Sequence, residues 1–197
     1  MDAYSNDAKR VTMETWLDSD IVFDGKVVRL RVGAVALDDG AQAYREVVEH
    51  PGGVCVLPFT GAEFVFVRQY RIAFETRLLE APAGKLESNE TPRQCAIKEL
   101  LEETGFETEN LVDLGRVYSS VGFCNEVIHL YLALQLTQVG SQLEPEERIE
   151  PVYLTMDEVR RRLDEGEFID GKTAVIVQRT LAWLDKHGRL FARTAPG

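Results

Sequence analysis

The 197 residues contain three cysteines, Cys55, Cys95 and Cys124, far apart and without a CxxC pair. The three histidines, His50, His129 and His187, form no HxH or HxxxH spacing. Both facts argue against a disulfide framework and a structural zinc site, so each cysteine reads as a small buried hydrophobe. No window approaches the roughly 18 uninterrupted apolar residues of a membrane span. Met1 to Arg10 is polar and of mixed charge, with no apolar stretch of the kind a signal peptide carries, so the expected location is cytoplasmic. Positive charge is also scarce: 22 Lys and Arg stand against 33 Asp and Glu, a formal charge of −11. Non-specific nucleic-acid binders draw affinity from cations that displace counterions, and this balance excludes that class. An anionic ligand would need metal ions or a local basic cluster to be held here.

What is present is an ordinary globular composition, 45% hydrophobic and 28% charged, long enough for one domain that buries a core without covalent staples. Residues 1–12 read as a flexible end. Val- and Leu-rich sequence from Ile21 to Leu37 is interrupted by Asp24-Gly25, a hairpin signal, and Asp38-Asp39-Gly40 leads to a strand over Ala43–His50. Pro51-Gly52-Gly53 precedes two further strands, Val54–Phe59 and Phe64–Gln69, so the first third is expected to be a β-meander. Strands are also expected at Arg77–Glu80, Val117–Ser120, Val127–Leu136 and Val152–Leu154, and closing helices at Met156–Glu165 and Lys172–His187. Between them, Thr91-Pro92-Arg93-Gln94 is a helix start: an N-cap, a proline at the first helical position and the returning partner of a capping box. That helix runs to Thr104, with Gly105 as its left-handed C-cap. The sum is an α+β chain, an α/β/α sandwich with a mixed sheet and an N-terminal β arm.

The central helix carries the chemistry. At about 100° per residue, Ala96, Ile97, Leu100 and Leu101 make one apolar stripe, and Glu99, Glu102 and Glu103 crowd the other side. Three like charges within little more than a turn repel by a few tenths of a kcal/mol per pair, roughly. Such a set is either a solvated face or a source of the hard oxygen ligands that Mg²⁺ and Mn²⁺ take.

Gly84, five residues, Glu90, seven residues and then Lys98-Glu99-Leu100-Leu101-Glu102-Glu103-Thr104-Gly105-Phe106 resembles the Nudix box, G-x5-E-x7-R-E-U-x-E-E-x-G-U, with U a large apolar residue. One fixed position differs, where Lys98 replaces Arg and keeps the charge without the planar fork. Flanking segments are similar to the ADP-ribose pyrophosphatase branch of Nudix hydrolases: Arg45 to Gly52, Val67-Arg68-Gln69-Tyr70-Arg71, Leu79 to Lys85, Ser120 to Phe123 with Glu126, and Gly166 with Ile169 to Thr173.

The resemblance implies a Nudix fold, with a dimerising arm over residues 13–48 and a hydrolase domain over 49–190. It implies cleavage of the ADP-ribose pyrophosphate to AMP and ribose 5-phosphate with Mg²⁺ or Mn²⁺, in a homodimer whose partner molecule is a nucleoside diphosphate derivative. Glu99 and Glu103 would be the main metal ligands, with Glu102 a further ligand or support and the Ala83 carbonyl completing the set. Gly84, Glu90, Lys98 and Gly105 would be structural. In the following acidic segment, Glu147 aligns with a metal-reaching glutamate, and either Glu144 or Glu146 is the base. Together with Glu102 and Glu103 these form the expected catalytic set. Substrate contacts would come from Arg45, Glu46, Arg71, Lys85, Ser120 and Gly122, and from Trp16 stacking on the adenine. Val121 stands where such enzymes have Pro. GDP-mannose, another nucleotide sugar or a dinucleotide therefore remains open as substrate, as does a non-catalytic ADP-ribose-binding module.

Overall fold

The computed structural model describes residues 13–140 and 148–187. Among them, in chain order, are β1 (Thr15–Asp24), β2 (Arg29–Ala36), β3 (Gln42–Glu49), β4 (Gly53–Pro58), β5 (Glu63–Arg71), β6 (Thr76–Glu80), β7 (Ala83–Lys85), α1 (Pro92–Thr104), β8 (Phe106–Glu107), β9 (Asn110–Tyr118), β10 (Val127–Leu134), β11 (Thr137–Gln138), β12 (Ile149–Thr155), α2 (Met156–Asp164) and α3 (Gly171–His187). The chain forms two compact units. One is the chain through His50 together with Gly122–Asn125; the other is Pro51–Val121 and the residues from Glu126 onward. No described helix is long and apolar enough to cross a membrane.

The first unit is an antiparallel sheet in the order β1-β2-β3. Its first turn closes at Asp24-Gly25, where the Gly25 N–H donates to the Val28 carbonyl at 3.0 Å. The short 122–125 segment returns to this sheet: Val48 N–H donates to Phe123 O at 2.7 Å and His50 N–H to the Asn125 side-chain oxygen at 2.8 Å. The sheet buries Val35 but leaves Leu17, Val22 and Phe23 exposed.

The meander expected of the first third stops at Pro51-Gly52-Gly53. The next two strands do not extend it. β4 enters a mixed four-stranded sheet, β7-β4-β10-β9, parallel to β10, while β5 lies between β12 and β6 in an antiparallel sheet. The physical reason is burial on both faces. All six residues of β4 are buried, a condition met by a central strand covered by helices, not by a meander strand with one wet face.

Alternation along these strands builds two cores. Cys55 and Leu57 of β4, Phe64 and Phe66 of β5 and Leu130 and Leu132 of β10 pack with Val159 of α2 and Ile176, Val177 and Leu181 of α3. Their neighbours Val54, Val56, Val65, Tyr131 and Ala133 point the other way, onto Cys95, Ala96 and Leu100 of α1. The second unit is thus an α+β sandwich, with α1 on one face and α2 and α3 on the other. β9 begins at Asn110 and ends at Tyr118, earlier at both ends than Val117–Ser120, so Ser120 lies in the loop beyond the strand.

Candidate active site

The start and stop of α1 follow from its local sequence. The Gln94 N–H donates to Thr91 Oγ1 at 3.3 Å, and the Thr91 N–H donates to Gln94 Oε1 at 3.0 Å, closing the capping box. Gly105 ends the helix at φ 71°, a conformation open to glycine at no steric cost. Between these ends the buried stripe is Cys95, Ala96, Glu99, Leu100, Glu103 and Thr104. This corrects the helix face expected from the sequence: Glu99 and Glu103 are 8% and 4% exposed, and Ile97 and Leu101 are the half-exposed residues. The cause is β7, which passes under the helix. The Ala83 N–H donates to Glu103 Oε2 at 3.1 Å. A Cβ at Gly84 would lie 1.9 Å from the Glu99 carboxyl carbon, so the Glu99 carboxylate occupies the space that a side chain would fill. Glu102 is half-buried on the same helix.

The loop from β7 to α1 is held by charge. Lys98 Nζ donates to Glu87 Oε1 at 2.9 Å, and this contact raises the Lys98 pKa above that of an ordinary lysine. The Glu87 N–H donates to Glu90 Oε2 at 3.3 Å. Both contacts cross the Glu87–Glu90 turn and fix the path from Gly84 into the helix. The Cys55 and Cys95 thiols have no part in such chemistry: burial pushes Cys95 up to about 12 and raises Cys55 as well.

This donor set fits a hard divalent cation. Two carboxylates one helical turn apart are buried, one of them against backbone that admits no Cβ at Gly84. Among the described residues, no three His, Cys, Asp or Glu side chains already surround one point as ligands. The glutamates 144, 146 and 147, expected to supply the base and a further ligand, lie outside the described residues.

A second charged group joins β5, β6 and the start of α3. Arg71, at the end of β5, makes a two-pronged pair with Glu80 of β6: Nε to Oε1 at 2.6 Å and Nη2 to Oε2 at 2.8 Å. Glu80 is only 2% exposed. Lys172, in the first turn of α3, donates to Glu80 Oε2 at 2.5 Å and to Asp170 Oδ2 at 2.8 Å. Asp170 caps α3 by accepting from the Thr173 N–H at 3.1 Å, and Thr173 Oγ1 accepts from the Ala81 N–H at 2.9 Å. Burial by itself would raise the Glu80 carboxyl, but the Arg71 fork and the Lys172 ammonium outweigh it and hold the group below the usual carboxylate range. Glu80 raises the Arg71 pKa above that of an ordinary guanidinium, and the more distant charge of Glu103 adds to the effect. A depression of about 310 Å³ opens at this cluster, with Tyr70, Ile72, Phe74 and Leu78 on its apolar side.

Of the other expected substrate residues, Lys85 is exposed on β7 and Ser120 is half-buried beyond β9. Trp16, Arg45, Glu46 and Gly122 belong to the first unit, where Arg45 is paired with Glu14 at 2.6 Å and Glu46 is exposed on β3. Sequence reasoning assigned no role to Glu80, Asp170, Lys172 or Thr173. Two signals were available: a lone acid inside the apolar run Leu78-Leu79-Glu80-Ala81, which burial obliges to find a partner, and Asp170 three residues before Thr173, an N-cap spacing.

The family model described as "NUDIX domain" matches residues 49–174. The chain is 40% identical over 168 residues to a "Methanol dehydrogenase activator" of Bacillus methanolicus, and 36% identical over 168 residues to an "ADP-ribose pyrophosphatase" of Bacillus subtilis strain 168. Each match covers 84% of this chain and 91% of the relative. A solved structure titled "Crystal structure of ADP compounds hydrolase" superposes with a TM-score of 0.78 at 19% identity, covering 89% of this chain and 96% of the other.

Proposed function

The chain belongs to the Nudix family, and we propose that it hydrolyses the pyrophosphate bond of ADP-ribose, or of a closely related ADP-sugar, to AMP and a sugar phosphate. The observation that carries the reading is the pair of buried carboxylates, Glu99 and Glu103, held against Ala83 and Gly84. The identity of 36% to an ADP-ribose pyrophosphatase supports the choice of substrate class.

In this reading Glu99 and Glu103, with Glu102 and the Ala83 carbonyl, would hold Mg²⁺ or Mn²⁺. Such an ion would supply neutralisation of the diphosphate charge and a more acidic water. The chain's own residues do the rest. The Ala83 N–H fixes one oxygen of Glu103, and the bare Cα of Gly84 lets Glu99 settle beside it. Arg71 spends two of its five N–H donors on Glu80, which leaves three for phosphate oxygens. The attacking water would pass its proton to Glu144 or Glu146 in the acidic segment, and Glu147 would add a carboxylate to the metal-holding set. Water oxygen then bonds to phosphorus as the bridging P–O bond breaks, and the two phosphate monoesters leave.

The reading extends to assembly. The β1–β3 sheet leaves Leu17, Val22 and Phe23 in water, an unfavourable arrangement for a single chain, and we assign it to a homodimer contact. Trp16, Arg45, Glu46, Lys85, Ser120 and Gly122 remain the proposed substrate contacts.

A panel of ADP-ribose, GDP-mannose and NADH, with products separated chromatographically, tests the substrate. The expected result is AMP and ribose 5-phosphate, with ADP-ribose turned over at least tenfold faster than the others. Faster cleavage of GDP-mannose would replace the substrate and keep the chemistry. Binding of ADP-ribose without cleavage of any of the three would favour a non-catalytic module.

A further inference from the structure

Lys172 is the least expected member of the Arg71 cluster. An ammonium 15% exposed is costly to bury, and hydrophobic residues of similar size commonly serve as well where only packing is at stake. Its placement gives it a different task. Nζ bridges two carboxylates, Glu80 Oε2 at 2.5 Å and Asp170 Oδ2 at 2.8 Å. The same Glu80 oxygen takes Arg71 Nη2 at 2.8 Å, and the other takes Arg71 Nε at 2.6 Å. Glu80 is thus clamped from both sides, by a guanidinium that reaches outward at 39% exposure and by an ammonium anchored in the first turn of α3. Asp170 cannot drift, because it also accepts from the Thr173 N–H at 3.1 Å, and Thr173 in turn accepts from the Ala81 N–H in the short link between β6 and β7.

We propose that Lys172 is a positioning residue for the diphosphate-binding arginine: through Glu80 it fixes the plane of the Arg71 guanidinium that faces the substrate. Without the ammonium, Asp170 and Glu80 are two anions sharing one cation. Arg71 is then drawn toward both, and its fork no longer presents one fixed edge. The effect falls on substrate binding, because the metal-binding carboxylates of α1 keep their own contacts with Ala83 and Gly84. The inference rests on the proposed role of Arg71 at the diphosphate.

The test is steady-state kinetics with ADP-ribose at saturating Mg²⁺ on wild type, Lys172→Met, Lys172→Arg, Arg71→Met and the double variant, each with its melting temperature. The expected result for Lys172→Met is a KM raised tenfold or more with kcat within threefold, restored by Lys172→Arg to within about threefold of wild type. Because Lys172 acts through Arg71, Lys172→Met should add nothing to Arg71→Met, so their effects on kcat/KM should fail to multiply. Multiplying effects, an unchanged KM in Lys172→Met, or a loss that follows melting temperature alone would overturn the inference while leaving the hydrolase reading intact. If Arg71→Met does not fold, the KM of Lys172→Met and its rescue by Lys172→Arg decide. If wild type cleaves only another nucleotide sugar, the same series is read on that substrate. A wild type inactive on every nucleoside diphosphate derivative would overturn both readings.

Discussion

At Gly84 one hydrogen atom decides whether the site exists. The Glu99 carboxyl carbon lies 1.9 Å from where a Cβ would stand, so Gly84→Ala must displace either the strand or the carboxylate. Overpacking of this kind costs about 1–3 kcal/mol. The expected outcome is a lower melting temperature together with at least a tenfold loss of hydrolysis, read from a thermal melt and an assay on the same sample. Full activity in Gly84→Ala would contradict the placement of Glu99. The glycine and the glutamates were legible in the sequence by their spacing, but their packing was not. Helical angles put all three carboxylates on the face away from the core, since charged side chains default to water. Contact with Ala83 and Gly84, which sit on a separate strand, buries two of them, and no pattern internal to the helix shows that.

Among the elements, β6 and the start of α3 are joined by the charges of Glu80, Arg71, Lys172 and Asp170, and that joint should register pH. The folded-state pKa of Glu80 lies below its unfolded value, because its two cations outweigh burial. A lowered carboxyl adds stability above its unfolded pKa, about 4.3, and the gain disappears as pH falls through the folded value. Wild-type stability should therefore decline as pH drops below about 5, and Glu80→Gln should be less stable at pH 7 with a flatter acid limb. Urea unfolding at a series of pH values checks this; equal acid limbs in the two proteins would contradict it. Element boundaries were legible where local chemistry sets them, as at Thr91 and Gly105. They were not legible for β7, only three residues long, or for β9, where Asp113, Gly115 and Arg116 break the strand pattern. The order of strands within sheets was also hidden, since pairing of β4 with β10 joins segments more than seventy residues apart.

For the whole molecule, the exposed apolar side chains of the β1–β3 sheet set the expectation. Light scattering should return twice the chain's 22.2 kDa at micromolar concentration; a single-chain mass at every concentration would contradict the homodimer. The sandwich of helices about a mixed sheet was legible from the succession of strand and helix signals. The grouping of Gly122–Asn125 with the N-terminal sheet was not, because it joins residues across a long stretch of sequence. All of these parts converge on one claim, that buried carboxylates on α1 power cleavage of a nucleoside diphosphate linkage. The most direct measurement is Mg²⁺-dependent hydrolysis of ADP-ribose by wild type and Glu103→Gln, with folding of the variant verified by its melt. The account predicts AMP and ribose 5-phosphate from wild type and a rate lower by about 100-fold or more in the folded variant, roughly 2.7 kcal/mol of lost transition-state stabilisation. A folded Glu103→Gln protein that cleaves ADP-ribose as fast as wild type would contradict it.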